Sequence, residues 1–270
     1  MTRRFLSAAS LAAAFLSLPA GAATLCTAFA DAASGRILLA EGRCDERATP
    51  ASTFKIPLSL MGFDSGFLTD GHSPVLPFRK GDPEWGGDAW RQPTDPTRWL
   101  KHSVVWYSQR VTRALGEQRF ADYVRAFGYG NADVSGDPGQ NNGLERSWLT
   151  SSLTISPLEQ IAFLSRLVNR RLPVSDGAVD RTLAVIETFP LAGGGTVHGK
   201  TGTAYPRRAD GRFNLTRGWG WFVGWAERDG RTVLFARLTR DDGKEAGPTG
   251  LRTRDALLRE LPDRLAALPR

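Results

Sequence analysis

The stretch ATPASTFKIPLSLMGFDSG, residues 48–66, puts a lysine at the head of an apolar run. Ile56 through Met61 calls for burial, and an ammonium is costly to bury unless it is paired or gives up its proton. Two readings follow. Either Lys55 snorkels to solvent, or its amine is held neutral beside Ser52, three residues back. The segment from Ser52 to about Ser65 reads as a helix, with Ser52 at its start and Lys55 one turn on, on the same face. A helix N-terminus offers free N–H groups and a positive dipole end to a developing oxyanion, and a neutral amine can take a hydroxyl proton. Alone, S-x-x-K is weak, because a serine N-cap with an incidental lysine explains it equally well.

The chain has 270 residues, 41% hydrophobic and 23% charged, enough for one sizeable core or one domain with two lobes. Arg3-Arg4 precede the apolar run FLSAASLAAAFLSLPA, and Ala20-Gly21-Ala22 has the small-x-small form of a cleavage site. Residues 1–22 therefore read as a signal peptide and residues 23–270 as a single exported domain, periplasmic and without membrane insertion. Cys26 has no leucine three places before it, so no lipid-attachment site is read. The net charge of +7 is scattered among acids with no run of five like charges, which together with export argues against a nucleic-acid partner. Within that charge, only five lysines stand against thirty arginines. Arginine stays protonated in proteins and lysine need not, so Lys55, Lys80, Lys101, Lys200 and Lys244 each merit attention.

Cys26 and Cys44 flank TAFADAASGRILLAEGR, which reads as two strands around an Ala-Ser-Gly turn. Export makes a disulfide between them the leading reading and a pair of buried thiols the alternative. Beyond the Gly-, Pro- and Trp-rich loop of residues 81–99, HSVVWYSQRVTRALG and EQRFADYVRAFG show helical spacing, each closed by glycine. Ser156-Pro157 opens another helix, and one more covers Asp176 to Phe189. GGTVHGKTGTAY, GWGWFVGWAERDG and RTVLFARLTRD are strand-like, the last two joined by an Arg-Asp-Gly turn, and GLRTRDALLRELPDRLAAL is an amphipathic helix. The order predicts an α/β chain of the α+β type. An antiparallel sheet is built from both chain ends with flanking terminal helices, and an all-helical lobe is inserted between them.

Lys200-Thr201-Gly202 falls on a predicted strand, where glycine lets a ligand lie against the backbone. Ser103 opens the helix in HSVVWYSQ. The order S-x-x-K, S-x-x, K-T-G matches the motif set of penicillin-recognising serine enzymes and absorbs two of the five lysines. From Cys26 to Arg264 the chain resembles class D serine β-lactamases, the oxacillinase type. PASTFK is similar to that family's nucleophile motif, SVVWYSQ to its second, FGYGN at 127–131 to its tyrosine-glycine-asparagine turn, and HGKTG to its sheet motif. WLTSSLTISPLEQ resembles the segment after its active-site loop. Transpeptidases usually carry asparagine where Val105 stands, and an apolar residue there means a drier pocket around Lys55.

The resemblance implies a role for each matching position. Ser52 is the acylated nucleophile. Lys55 is carboxylated by carbon dioxide to give the general base, as N6-carboxylysine, and Trp148 donates its indole N–H to it. Ser103 relays a proton to the lactam nitrogen and Lys200 adjusts the field. Thr201 and Arg252 hold the substrate carboxylate. The amides of Ser52 and Thr203 form the oxyanion hole, Gly202 keeps the strand open to the ligand, and Trp90 flanks the site. No metal and no organic cofactor are implied, and the partners are β-lactam small molecules. Tyr129 and Asn131 are read as loop braces. His72, His102 and His198 show no obvious acidic partner, which argues against a serine–histidine triad. A transpeptidase or carboxypeptidase, or a sensor that is acylated without turnover, remains as the alternative activity.

Overall fold

The computed structural model describes residues 22–269, so the expected signal peptide lies outside the described residues. The described chain opens with the hairpin β1 (Ala23–Asp31) and β2 (Ile37–Gly42). Helices α1 (Lys55–Asp64), α2 (Pro96–His102), α3 (Val105–Leu115), α4 (Glu117–Ala126), α5 (Gly143–Arg146), α6 (Pro157–Val168) and α7 (Asp176–Val185) follow. The chain then returns to the sheet with β3 (Thr188–Pro190), β4 (Thr196–Ala204), β5 (Trp219–Arg228) and β6 (Arg231–Arg240), and closes with α8 (Thr249–Ala267). The sheet has six strands in the order β2-β1-β6-β5-β4-β3, with antiparallel pairing throughout. Strands from both chain ends meet where β1 pairs with β6, as the element order predicts.

Strand alternation divides the core in two. On β5, Trp221, Val223 and Trp225 face the helical lobe, while Phe222 and Ala226 pack with Phe29, Phe235, Leu257 and Leu261 under α8. A period of two thus gives one strand two apolar faces, each covered by helices. The β5–β6 turn is Asp229-Gly230, with φ of 50° and 74°, the left-handed pair that suits the twist of a two-residue hairpin. Helix α6 starts on a capping box: Ser156 Oγ accepts from Glu159 N, and Glu159 Oε2 accepts from Ser156 N.

Three expectations change. The helix expected from Asp176 to Phe189 stops at Val185, because Ile186 turns extended and Thr188–Pro190 pairs with β4 as β3. The loop expected over residues 81–99 contains a short 3₁₀ turn, Gly87–Trp90, and the start of α2. Asp95 caps α2 by accepting from Arg98 N, and Pro96 occupies its first turn. The helix expected to begin at Ser52 opens as a 3₁₀ turn, Ala51–Phe54, and becomes α-helical only at Lys55. As the element order predicts, α8 flanks the sheet at the C-terminal end of the chain.

Cys26 and Cys44 are joined by a disulfide, with Cα atoms 5.0 Å apart. Cys26 pairs with Gly42 in the hairpin, so Cys44 lies just beyond the end of β2. With a separation of 18 residues, the bridge restrains the unfolded chain enough to contribute about 3 kcal/mol. The Cys26→Ala, Cys44→Ala protein is expected to lose about that much stability in urea unfolding. An unchanged midpoint contradicts it.

Candidate active site

The turn carrying Ser52 is fixed from several directions. Ala51 N and Thr49 Oγ1 both donate to the carbonyl of Trp148, at 3.1 and 2.9 Å. Trp221 Nε1 donates to Thr49 O at 2.9 Å, which ties the turn to β5. From α6, Gln160 Nε2 donates to Thr53 Oγ1 at 2.9 Å, and that hydroxyl donates to Pro50 O at 2.7 Å. Ala51 is left with φ of 49°, a left-handed conformation that a non-glycine residue keeps only when its surroundings enforce it.

Lys55 is 1% exposed, and its Nζ lies 3.2 Å from Ser52 Oγ. Burial first, and then the nearby Lys200 charge, hold its pKa well below the ordinary lysine value. Burial and the Lys200 charge thus both disfavour the ammonium form beside the serine hydroxyl. The second lysine differs. Lys200 Nζ donates to Ser103 Oγ at 2.7 Å and to Thr201 O at 3.2 Å, and burial lowers its pKa to about 8 against the pull of Glu187. It is still an ammonium at pH 7. In both serine–lysine pairs burial is the main cause that lowers the lysine pKa, but Glu187 opposes it only at Lys200.

Ser103 sits between α2 and α3 in the left-handed region, with φ of 55°. Trp90 holds that junction by donating its indole N–H to His102 O at 2.8 Å, while its own carbonyl accepts from Trp106 Nε1. Val105, 3% exposed, lies in the first turn of α3 within the same apolar cluster.

Opposite the Ser52 turn runs β4. Its neighbour β3 pairs only with residues 196–198, so β3 leaves Lys200–Ala204 as an open strand edge. A Cβ on Gly202 would lie 2.9 Å from Pro50 O and 3.3 Å from Thr53 N. Glycine is what lets the strand come this close to the nucleophile turn.

Trp148 is fully buried, stacked on Phe54 at 5.4 Å and edge-on to Phe120 at 6.2 Å. Its Nε1–H has no hydrogen-bond partner among the described residues. A buried donor left unpaired is costly, and Trp99, Trp106 and Trp221 all bond theirs.

The family model for the penicillin binding protein transpeptidase domain matches residues 25–263. The chain is 48% identical over 240 residues to β-lactamase OXA-9 of Klebsiella pneumoniae, covering 88% of this chain and 86% of that one. It is 36% identical over 196 residues to β-lactamase OXA-1 of Escherichia coli, covering 72% and 67%. The crystal structure of the class D β-lactamase OXA-427 superposes with a TM-score of 0.82 at 45% identity, covering 89% of this chain and 98% of that one. The chain belongs to the class D β-lactamases. It is a hydrolase of the β-lactam amide.

The residues picked from the sequence of this β-lactamase fall into two groups. Ser52, Lys55, Ser103 and Lys200 form the two hydrogen-bonded pairs, with Gly202 against the turn and Val105 and Trp90 beside Ser103. Arg252 stands apart. Its helix docks on β4, where Gly250 N donates to Thr203 Oγ1 at 2.9 Å, but its guanidinium is bonded to Asp241 and to the carbonyls of Ala246 and Gly247. Tyr129 and Asn131 brace as read. Tyr129 is buried near Gln160, and Asn131 bridges Ser152 O and Thr154 N.

The histidine reading needs correction. His72 Nδ1 lies 3.0 Å from Asp95 Oδ2, and His198 Nε2 lies 3.9 Å from Glu227 Oε1. His72 is nonetheless an exposed loop residue at the cap of α2, and no histidine bonds either serine among the described residues. A cavity of about 550 Å³ at the His198 end of β4 contains none of the candidate catalytic residues. Sequence reading missed the Gln160–Thr53 brace and Asp241. The first sits on the buried face of a legible helix; nothing local marks the second.

Because Lys200 loses its proton as pH rises through about 8, kcat/KM is expected to fall on the alkaline side with an apparent pKa near that value. Lys200→Arg keeps its charge, so its alkaline limb should move above pH 10 even if its rate drops. A pH–rate profile checks this. The same limb at pH 8 in both proteins contradicts the assignment.

Proposed function

We propose that this enzyme opens penicillin-type β-lactams through an ester on Ser52, with Lys55 as the seat of the general base. The observation that carries the reading is the buried Lys55 amine 3.2 Å from the Ser52 hydroxyl, its pKa lowered by burial. Ser52 Oγ attacks the lactam carbonyl carbon and gives up its proton on the Lys55 side. The amides of Ser52 and Thr203 take the oxyanion. The carbon–nitrogen bond breaks, and Ser103 passes a proton to the lactam nitrogen, backed by the Lys200 ammonium. Water then attacks the ester, again deprotonated on the Lys55 side, and Ser52 leaves as its hydroxyl. Thr201 and Arg252 hold the substrate carboxylate, Gly202 keeps the strand close, and Val105 and Trp90 dry the Ser103 side.

Two observations fit a carboxyl group on Lys55 Nζ. A lysine must be neutral to attack carbon dioxide, and burial pushes the Lys55 pKa well down, towards that form. An anion buried among apolar residues needs a donor, and Trp148 Nε1–H is a buried donor without a partner. Such a group supplies a stronger, anionic base than the bare amine. We propose further that residues 1–22 direct export to the periplasm and that residues 23–270 form one catalytic domain of two lobes. No helix among the described residues is long and apolar enough to cross a membrane.

Intact-mass spectrometry after mixing with a penicillin is expected to show one adduct of full drug mass, absent from Ser52→Ala. Lys55→Arg should lower turnover by about 10²–10⁴-fold. Trp148→Phe keeps the stack on Phe54 but removes the N–H, so it should accumulate the acyl-enzyme and gain activity from added bicarbonate. An adduct on Ser52→Ala, or full turnover by Lys55→Arg, overturns the reading.

A further inference from the structure

We propose that Asp241 is the positioning residue that sets how strongly Arg252 holds an anionic substrate. The inference rests on the reading of Arg252 as a holder of the substrate carboxylate, and adds what controls it. Asp241 follows β6 directly and is 2% exposed. Its amide donates to Gly218 O at 2.8 Å, which fixes it at the mouth of the β5–β6 pair. Its Oδ1 accepts from Arg252 Nη2 at 2.5 Å, and its Oδ2 accepts from Thr249 Oγ1 at 2.5 Å. A Cβ on Gly218 would lie 2.9 Å from Asp241 Oδ2 and 2.6 Å from Thr249 Oγ1, so the carboxylate occupies space that only glycine leaves open.

This arrangement limits what Arg252 can offer. Its Nη1 donates to Ala246 O at 2.7 Å and Gly247 O at 2.6 Å, and its Nη2 donates to Asp241 and lies 3.4 Å from Thr249 Oγ1. Of its five N–H groups, the one on Nε alone lacks a partner among the described residues. The pair is also uneven. The Asp241 side chain is 3% exposed and the Arg252 side chain 29%. A dry carboxylate is poorly screened by salt, so it offsets the arginine charge at every ionic strength while the guanidinium alone meets water. The first turn of α8, which carries Arg252, docks on Thr203 of the open β4 edge, whose amide is a proposed oxyanion donor. Affinity for a substrate carboxylate is therefore a contest between that anion and Asp241.

The test is a double-mutant cycle with a penicillin as substrate and chloride as the competing anion. Asp241→Asn keeps the shape and removes the charge. KM and the chloride concentration giving half inhibition should each fall about fivefold, with kcat little changed. Asp241→Glu keeps the charge and should keep the wild-type chloride response, whereas a purely structural role would move both variants alike. In an Arg252→Ala background the Asn effect should vanish. If Asp241→Asn does not fold, Thr249→Val reads the same coupling with opposite sign. Without the hydroxyl, Asp241 grips Arg252 harder, and KM should rise about twofold.

Unchanged KM and chloride response in the folded Asn variant, or a shift that persists without Arg252, overturns the proposal while leaving Arg252 as the carboxylate holder. Arg252→Ala with wild-type KM removes that reading, and the proposal with it.

Discussion

The site depends on one constraint: the buried position of Lys55 disfavours a charged ammonium. Leaving water costs the ionised form far more than the neutral one, and Lys200 nearby adds repulsion of the same sign. The apolar run behind Lys55 is thus part of the chemistry. It lowers the pKa of a lysine whose Nζ lies 3.2 Å from a serine hydroxyl one turn away, which favours the proposed base. Lys200 is equally buried yet keeps its proton at pH 7, because its pKa of about 8 is supported by Glu187. The neighbours of the two lysines thus set different pKa environments for one residue type.

That constraint explains why so much structure converges on the Ser52 turn. A neutral amine is useful only if the hydroxyl stays within reach, and the turn has no α-helix to hold it. Bonds from Trp148, Trp221 and Gln160 do that work, drawing on the loop before α6, on β5 and on α6 itself. The sheet contributes the open β4 edge, and Gly202 lets that edge approach. The helical lobe contributes Ser103, held by Trp90 at the junction of α2 and α3. The proposed proton circuit thus draws on the sheet and on the helices inserted in it.

Features encoded by neighbours in the chain were legible in the sequence. The Ser156-Pro157 helix start, the Arg-Asp-Gly turn and the strand-like run of β5 each declare themselves within a few residues. The S-x-x-K and K-T-G motifs are local as well, and so is the glycine that K-T-G requires. What was not legible is set by partners distant in the chain. Strand β3 is three residues long and exists because β4 offers it an edge, while the helical spacing before it runs on without a break. The partnerless indole of Trp148 emerges only when its surroundings are assembled. The grip of Asp241 on Arg252 needs β6, the loop after it and α8 together, and no spacing rule joins them. Helix α2 was readable from Asp95-Pro96, but the Gly, Pro and Trp before it read as loop.

The central claim is that burial keeps Lys55 uncharged and open to carbon dioxide. Carbon-13 NMR of the enzyme equilibrated with ¹³C-bicarbonate reads this directly. The account predicts a carbamate resonance at neutral pH, absent from Lys55→Arg, fading as the pH falls towards about 5 while amine protonation competes with carboxylation. No resonance at any pH, with the Lys55 side chain titrating like a free lysine near its ordinary value, would contradict it.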